Sequence, residues 1–373
     1  MLSFKKNRKI IFVAIATAVL SIFFFNLKKR SIKKQECKQY TGDLKCLLAD
    51  AHDSQKRLIT FLNKLKVKYN NAVVIDPGIK QMPTIDQLLK TRCNNDASKI
   101  TDYTRATIGV ENLYQVYRCL EDIKASNLLV VSVRDNFFQP SPEMYRDLNI
   151  VFRDSVNNHL GEIQINTLPL LAFKKEKGHE LFDKIRKIKF NAHQEDRSLS
   201  KDENLIIKEC ITESVLGYNN AFGGSMKLDN KTLRVGVYGI LIHNNEVLMV
   251  REQSGSKLIY NFPGGGVENN EGLAEALARE CREEIVTDVK IKDLLYTTKD
   301  LYVHDDFPNS YMFGLYYTID VQDKTLVKNG EWFPINNLPV HAMLPIDKEL
   351  ATYLQDRQPQ PEVMVEGCLV DSY

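Results

Sequence analysis

Between Asn261 and Val289 the run NFPGGGVENNEGLAEALARECREEIVTDV sets glycine, acidic and basic residues at spacings that chemistry can use. Gly265 is followed after five residues by Glu271, after seven more by Arg279-Glu280, and then by Glu283-Glu284. On a helix, Glu280, Glu283 and Glu284 stand at i, i+3 and i+4, so their carboxylates share one face. Like charges crowded in this way repel unless a cation joins them. Hard carboxylate oxygens beside a glycine loop, which lets backbone approach a ligand closely, suit Mg²⁺ or Mn²⁺ bridging a diphosphate. Leu273, Ala276, Leu277, Cys281 and Ile285 fall on the opposite side and anchor such a helix in a core. Read alone, the glutamates are better taken as a solvated acidic face; the glycine loop and Arg279 at fixed offsets favour the metal site.

A second constellation is more dispersed: KITDYTRATIGV at 99–110, MYRDLNIVF at 144–152, GEIQINTLPLLAF at 161–173 and KGHELFDKIRK at 177–187. Asp102 and the distant Glu162 could converge on one metal ion, as carboxylates do in nucleotidyl and pyrophosphoryl transfer. Tyr145 with Arg146 could stack on and neutralise a purine nucleotide. The alternatives are a turn or cap role for Asp102, an edge-strand aromatic at Tyr145 and a core or surface histidine at His179. His52-Asp53 on an amphipathic helix is set aside as coincidence.

The glycine–glutamate run resembles the Nudix family signature, in which Gly, five residues, Glu, seven residues, Arg-Glu-apolar-x-Glu-Glu-x-Gly-apolar follow one another. Gly265, Glu271, Arg279, Glu280, Cys281, Glu283 and Glu284 occupy the matching places, and the resemblance extends over 232–356. It implies an α/β/α sandwich and divalent-metal hydrolysis of a nucleoside diphosphate linked to another group. Glu280, Glu283 and Glu284 would hold the Mg²⁺ or Mn²⁺ and activate water, Glu268 would add a metal ligand, and Arg279 would pair with Glu271 to fix the loop. Asp305, Asp306 and Glu331 are candidates for a further base. Val286 stands where the signature ends its helix with Gly, which leaves the helix end open and the carboxylates untouched.

The dispersed motifs, in their order, resemble the synthetase domain of the RelA/SpoT family, which transfers pyrophosphate from ATP to GDP or GTP. Asp102, Tyr145, Arg146, Leu148, Glu162, Ile163, Gln164, Ile165 and Thr167 match its motifs. The resemblance makes Asp102 and Glu162 the metal and base carboxylates, Tyr145 the guanine-stacking ring, and Lys80, Lys90 and Arg92 contacts to nucleotide phosphates. Arg105, Thr107, Met144, Asp147 and Asn166 depart from those motifs. Arg105, Thr107, Met144 and Asn166 favour a second reading, a catalytically inactive guanine-nucleotide sensor that regulates the hydrolase.

The elements that must position these residues follow from periodicity. Leu58, Phe61, Leu62, Leu65 and Tyr69 recur at helical spacing, as do Leu113, Val116, Tyr117 and Leu120, and strand-like runs lie at 128–133, 148–152 and 162–165. An α+β domain over 46–220 is expected. The Gly-Gly-Ser at 223–225 marks a border. Beyond it VGVYGILIHNNEVLMVRE reads as two strands turning at His243-Asn244-Asn245. A strand at 311–320 and a helix near 346–356 complete a second domain over 232–356.

At 373 residues the chain has room for both domains, and 43% hydrophobic with 26% charged residues is ordinary globular usage. The seven cysteines lack paired CxxC spacing, so neither a zinc site nor a disulfide framework is expected. Residues 1–34 carry nine Lys/Arg and no Asp/Glu, leaving 41 basic against 48 acidic residues elsewhere. That sign argues against gripping long nucleic acid and for small nucleotide partners. Residues 10–27 are uncharged and close to membrane-spanning length. They are expected to form a single-pass anchor, the alternative being a cleaved secretory signal, between a basic N-terminus (1–9) and a basic linker (28–45). The nucleotide chemistry expects the folded part to face the cytoplasm, and 357–373 reads as a tail. The fold class expected is thus a membrane-anchored α/β two-domain protein.

Overall fold

A computed structural model describes residues 37–254, 257–268, 270–304, 307–322 and 327–356. The expected anchor, most of the basic linker, Asp305, Asp306 and the tail lie outside the described residues. Among the described residues no helix is long and apolar enough to cross a membrane. The chain divides into Met1–Lys38 and Gln39–Tyr373, and every element below belongs to the second unit.

The first half begins with α1 (Leu44–Leu65), whose N-cap Asp43 accepts from the Lys45 N–H at 2.8 Å. Leu58, Leu62 and Leu65 are buried on its inner stripe. Next come β1 (Val73–Ile75), α2 (Met82–Thr91), β2 (Thr104–Val110), α3 (Leu113–Lys124), β3 (Leu129–Asp135), β4 (Leu148–Arg153) and β5 (Leu160–Thr167). The five strands form one sheet in the order β1-β2-β5-β4-β3, in which only β2 and β5 run parallel. Pairing of Arg105 with Glu162 and Thr107 with Gln164 brings the two distant motifs side by side.

After β5 the chain runs through α4 (Leu168–Phe173), a π turn at Lys174–Gly178, α5 (His179–Gln194) and α6 (Lys201–Ser225). Gly223-Gly224-Ser225, expected as a border, forms the last turn of α6. Glycine serves packing there: a Cβ at Gly224 would stand 3.2 Å from Pro169, and one at Gly217 would strike the Phe173 ring.

The second half holds β6 (Lys227–Leu228), β7 (Lys231–Ile240), β8 (Ile242–His243), β9 (Glu246–Ser254), β10 (Lys257–Asn261), β11 (Gly264–Gly266), α7 (Leu273–Glu284), β12 (Lys290–Thr297), β13 (Tyr302–His304), β14 (Phe307–Asp320), β15 (Gly330–Pro334) and α8 (Pro345–Asp356). Asn244 and Asn245 both have positive φ, 48° and 65°, and connect β8 to β9 as the two-residue hairpin that the sequence predicts. β11-β7-β14-β12 form one sheet and β10-β9-β15 the other. Leu233, Val235 and Val237 of β7 pack on the side that holds α7, whereas Tyr238 and Ile240 pack with Leu350 and Ala351 of α8. Helix, strands and helix therefore lie in layers.

The halves are not beads on a string. One apolar core contains Leu113, Val116 and Tyr117 of α3 together with Leu277, Phe313 and Leu315 of the second half. The Phe138 and Tyr317 rings stack at 4.8 Å across that junction.

Candidate active site

α7 begins where Gly272 donates its N–H to Glu275 at 2.9 Å, and its apolar residues Leu273, Ala276, Leu277 and Cys281 are buried as the spacing predicts. It ends at Glu284. Val286 then adopts φ 56°, the left-handed conformation for which the missing glycine is suited, and which a β-branched residue enters only with strain.

Arg279 is the hub of the site. It grips Glu271 with two nitrogens, at 2.8 and 3.2 Å, and donates to the Gly266 carbonyl at 3.1 Å and to Glu280 at 2.7 Å. The Glu271 carboxylate also accepts from the Glu268 N–H at 3.0 Å, which ties the loop to the helix. Glu284 turns inward and accepts from the Gly264 N–H at 2.8 Å. Burial pushes its carboxyl up to about 7 against the pull of that hydrogen bond, with Glu280, Glu252 and Glu283 raising it further.

The three glutamates do not meet at one point as they stand. Among the described residues no three His, Cys, Asp or Glu side chains gather around a common centre. Glu283 is 60% exposed and only 3.6 Å from Arg279, while Glu280, 15% exposed, is taken by the same guanidinium. Like charges separate and the nearest cation collects them. The donor set nonetheless fits a hard divalent ion: acceptor-only oxygens on one helix face, under-compensated negative charge at Glu284, and a glycine at 265 leaving the carboxylates room.

Two acidic residues beside this site escape the sequence reading. Glu252 of β9 accepts from Asn261 at 2.7 Å, a partnership set by strand pairing across the β9-β10 hairpin. Asp347 in the first turn of α8 is fully buried; the Tyr316 hydroxyl donates to it at 2.9 Å, and burial raises its carboxyl to about 7. Glu268 is exposed. Glu331 lies on β15, where Tyr260 donates to it at 3.3 Å and Arg251 stands 3.6 Å away.

In the first half a cleft of about 690 Å³ opens at β2, β5 and α4, and Asp102 and Glu162 both line it. Burial, followed by the Asp102 charge, holds the Glu162 carboxyl above the usual range. Lys80 is buried and pairs with Asp102 at 2.5 Å, an ammonium in the place of a counter-ion rather than a free phosphate contact. Lys90 and Arg92 are exposed at the end of α2 and do not line the cleft. Its basic lining is instead Arg105, Lys174, Lys175 and His179. Three of these come from the π turn and the residue after it, a local irregularity that helical periodicity does not reveal.

Tyr145 and Arg146 also differ from expectation. The Tyr145 ring packs edge-on against Tyr218 at 5.5 Å, and its hydroxyl donates to Asp147 at 2.8 Å while accepting from Lys174 at 3.0 Å, so it braces the cleft without lining it. Arg146 is wholly buried 4.2 Å over the Phe222 ring and does not line the cleft. Met144, standing where the resembled motif has Gly, takes φ 61°.

With this geometry in view, comparison with known proteins gives a class for the second half. Residues 232–354 match the family model of the NUDIX domain, so this part of the chain is a NUDIX domain. Among curated proteins, it is similar to an ADP-ribose pyrophosphatase of Methanocaldococcus jannaschii, 33% identical over 28% of this chain and 64% of that one. It is also similar to an NAD-capped RNA hydrolase, NudC, of Pseudomonas entomophila, 26% identical over 31% of this chain and 41% of that one. The chain thus spans less than two thirds of either relative. Among solved structures, small alarmone synthetase 1 from Bacillus subtilis aligns with 48% of this chain and 94% of its own, at 14% identity and a TM-score of 0.35.

Proposed function

We propose that the chain is a divalent-metal-dependent pyrophosphohydrolase that cleaves a nucleoside diphosphate linked to another moiety, with ADP-ribose as the first substrate to try. One observation carries this reading. Beside the glycine loop, Glu284 is buried with Glu280, Glu252 and Glu283 all adding to the cost of its charge, and the nearby cation, Arg279, is divided among Glu271, Glu280 and Glu283.

A bound Mg²⁺ or Mn²⁺ would neutralise the diphosphate and lower the pKa of an attached water. Glu280, Glu283 and Glu284 are the residues to hold it. Arg279 keeps Glu271 and the 266–271 loop against the helix, and the Gly264 N–H orients Glu284. The test is AMP release from ADP-ribose by the purified chain with Mg²⁺. Unchanged turnover in both Glu280→Gln and Glu284→Gln would remove the assignment.

The first-half cleft supports a companion reading, a nucleotide site in which Asp102 and Glu162 stand opposite basic residues from the π turn. Whether it transfers pyrophosphate from ATP to GDP or GTP, or senses a guanine nucleotide, is decided by offering these substrates and looking for a 3′-pyrophosphorylated product. The pairing with a hydrolase suggests alarmone metabolism. The uncharged run at 10–27 supports attachment to the membrane, and the nucleotide chemistry proposed for both halves favours a cytoplasmic folded part; cleavage of that part by protease added outside intact cells would contradict it.

A further inference from the structure

The segment 136–147 lies between the two sites, tied to the cleft through the partners of Lys174 and to the hydrolase helix through backbone hydrogen bonds. On the cleft side, Gln164 donates to Glu162 at 3.2 Å, and Lys174 donates to Gln164 at 3.4 Å and to the Tyr145 hydroxyl at 3.0 Å. Tyr145 donates to Asp147, and Asp147 closes the base of the segment by accepting from Asn136 through its carboxylate at 2.6 Å and through its carbonyl at 2.9 Å. On the other side the same segment holds the start of α7. The Phe137 carbonyl accepts from the Leu273 N–H at 3.2 Å, and that of Phe138 accepts from Ala274 at 3.0 Å. Arg146 donates to the carbonyl of Glu271 at 3.3 Å, and a Cβ on Gly272 would stand 2.6 Å from Pro140.

The first N–H groups of a helix have no partner within it. Here two of them are satisfied by the opposite half, so the helix that carries Glu280, Glu283 and Glu284 is seated on a segment tied to the cleft. We propose that a nucleotide bound in the first-half cleft sets the rate of the hydrolase through segment 136–147, with Arg146 and the Phe137 and Phe138 carbonyls as the link. This rests on the companion reading that the cleft takes a nucleotide.

A phosphate group there meets Arg105, Lys174, Lys175 and His179, and it competes with Tyr145 and Gln164 for the Lys174 ammonium. That competition is a difference in contacts between the liganded and free states, which any ligand-driven shift requires. Met144, at φ 61° in the middle of the segment, is the backbone position where an alternative conformation costs least to reach. Glu271, whose carbonyl Arg146 holds, grips Arg279 with its carboxylate, so a change in the segment reaches the residue that organises the glutamates.

The experiment measures GDP binding to the full chain by calorimetry and ADP-ribose turnover with and without saturating GDP. The expected result is a change of about fivefold or more in turnover, the lower range of known couplings, persisting at saturating ADP-ribose. In Arg146→Met, which fills the same buried slot without its donors, GDP binding should stay within about twofold and the rate response should vanish. As a check independent of that variant's folding, α,β-methylene ADP-ribose should alter GDP affinity in the wild-type chain by the same factor by which GDP alters the affinity of that analogue. GDP binding with turnover unchanged would overturn the coupling and leave the cleft reading standing. Absence of GDP binding would remove both. An effect abolished by excess ADP-ribose is competition at the hydrolase and overturns the proposal, as does a response that persists in Arg146→Met.

Discussion

A Cβ placed on Gly265 would lie 2.5 Å from the carboxyl carbon of Glu280, so the glycine loop and the helix glutamate occupy neighbouring space with nothing to spare. Glu280 is the flexible end of a long side chain and can rotate away, and a Gly265→Ala chain should therefore fold with little change in stability. What it loses is the placement of Glu280 beside Arg279. Hydrolysis of ADP-ribose is expected to fall at least about tenfold, since small displacements of positioned groups weigh heavily on rate. Parallel turnover and thermal-melt measurements check this, and a melt depressed as much as the activity would point to general damage instead.

Glu284 gives a prediction in which stability and activity move in opposite directions. Its folded-state carboxyl, at about 7, lies above the ordinary 4.5. Folding therefore favours its protonated form, and the contribution is lost as pH rises through the folded value. Glu284→Gln removes that cost. At pH 8 without divalent metal, the variant should be more stable than the parent by roughly 1–2 kcal/mol, discounted from the full shift because the side chain is partly exposed. At pH 4 the gap should close, and Mg²⁺ should narrow it at pH 8 by binding only the parent. Turnover with Mg²⁺ should be lost throughout. Urea midpoints across this pH range give the answer; a variant less stable at pH 8 would contradict the burial argument.

The parts of this protein legible from sequence are those written in local spacing. The α7 stripe, the Asn244-Asn245 turn and the pairing of Arg279 with Glu271 all sit within a few residues of their causes. Met144 and Val286 were readable too, as residues standing where glycine is expected, and both prove to have positive φ. What the sequence hides is long-range. Lys80 binds Asp102 because a loop returns to β2, and Arg146 points at Glu271, 125 positions away. The contact of the Tyr145 ring with Tyr218, on a helix distant in sequence, is likewise not written in local spacing. Asp347 is invisible as a site residue until α8 is folded under Tyr316.

The strain at Val286 is separable from catalysis. The side chain is 50% exposed and φ is 56°, so glycine there relieves a Cβ clash without removing buried contacts. Left-handed backbone costs a non-glycine residue about 1–2 kcal/mol, and glycine's greater freedom in the unfolded chain takes back about half of that. Val286→Gly should therefore stabilise the protein by about 0.5–1 kcal/mol, read as a higher urea midpoint at unchanged m-value, with ADP-ribose turnover unaltered.

His159 sets an acid limit on the first half. It is fully buried, neither ring nitrogen has a hydrogen-bond partner, and burial lowers its pKa from 6.5 to about 4 despite the nearby Asp50 and Asp154 charges. The unfolded chain takes up a proton at this residue where the folded chain does not, so stability falls as pH drops from about 6.5 toward 4. Between pH 7 and pH 5 the loss from this one group is about 2 kcal/mol. Other buried acids, Asp135 among them, respond with the opposite sign, because burial raises their folded-state values. The contribution of His159 is therefore read as a difference between two proteins. His159→Leu has similar bulk and forfeits no hydrogen bond. It should match the parent near pH 8, where the imidazole is neutral in both states, and exceed it by about 2 kcal/mol at pH 5. Equal stability of the two at pH 5 would mean that water reaches this ring in the folded chain.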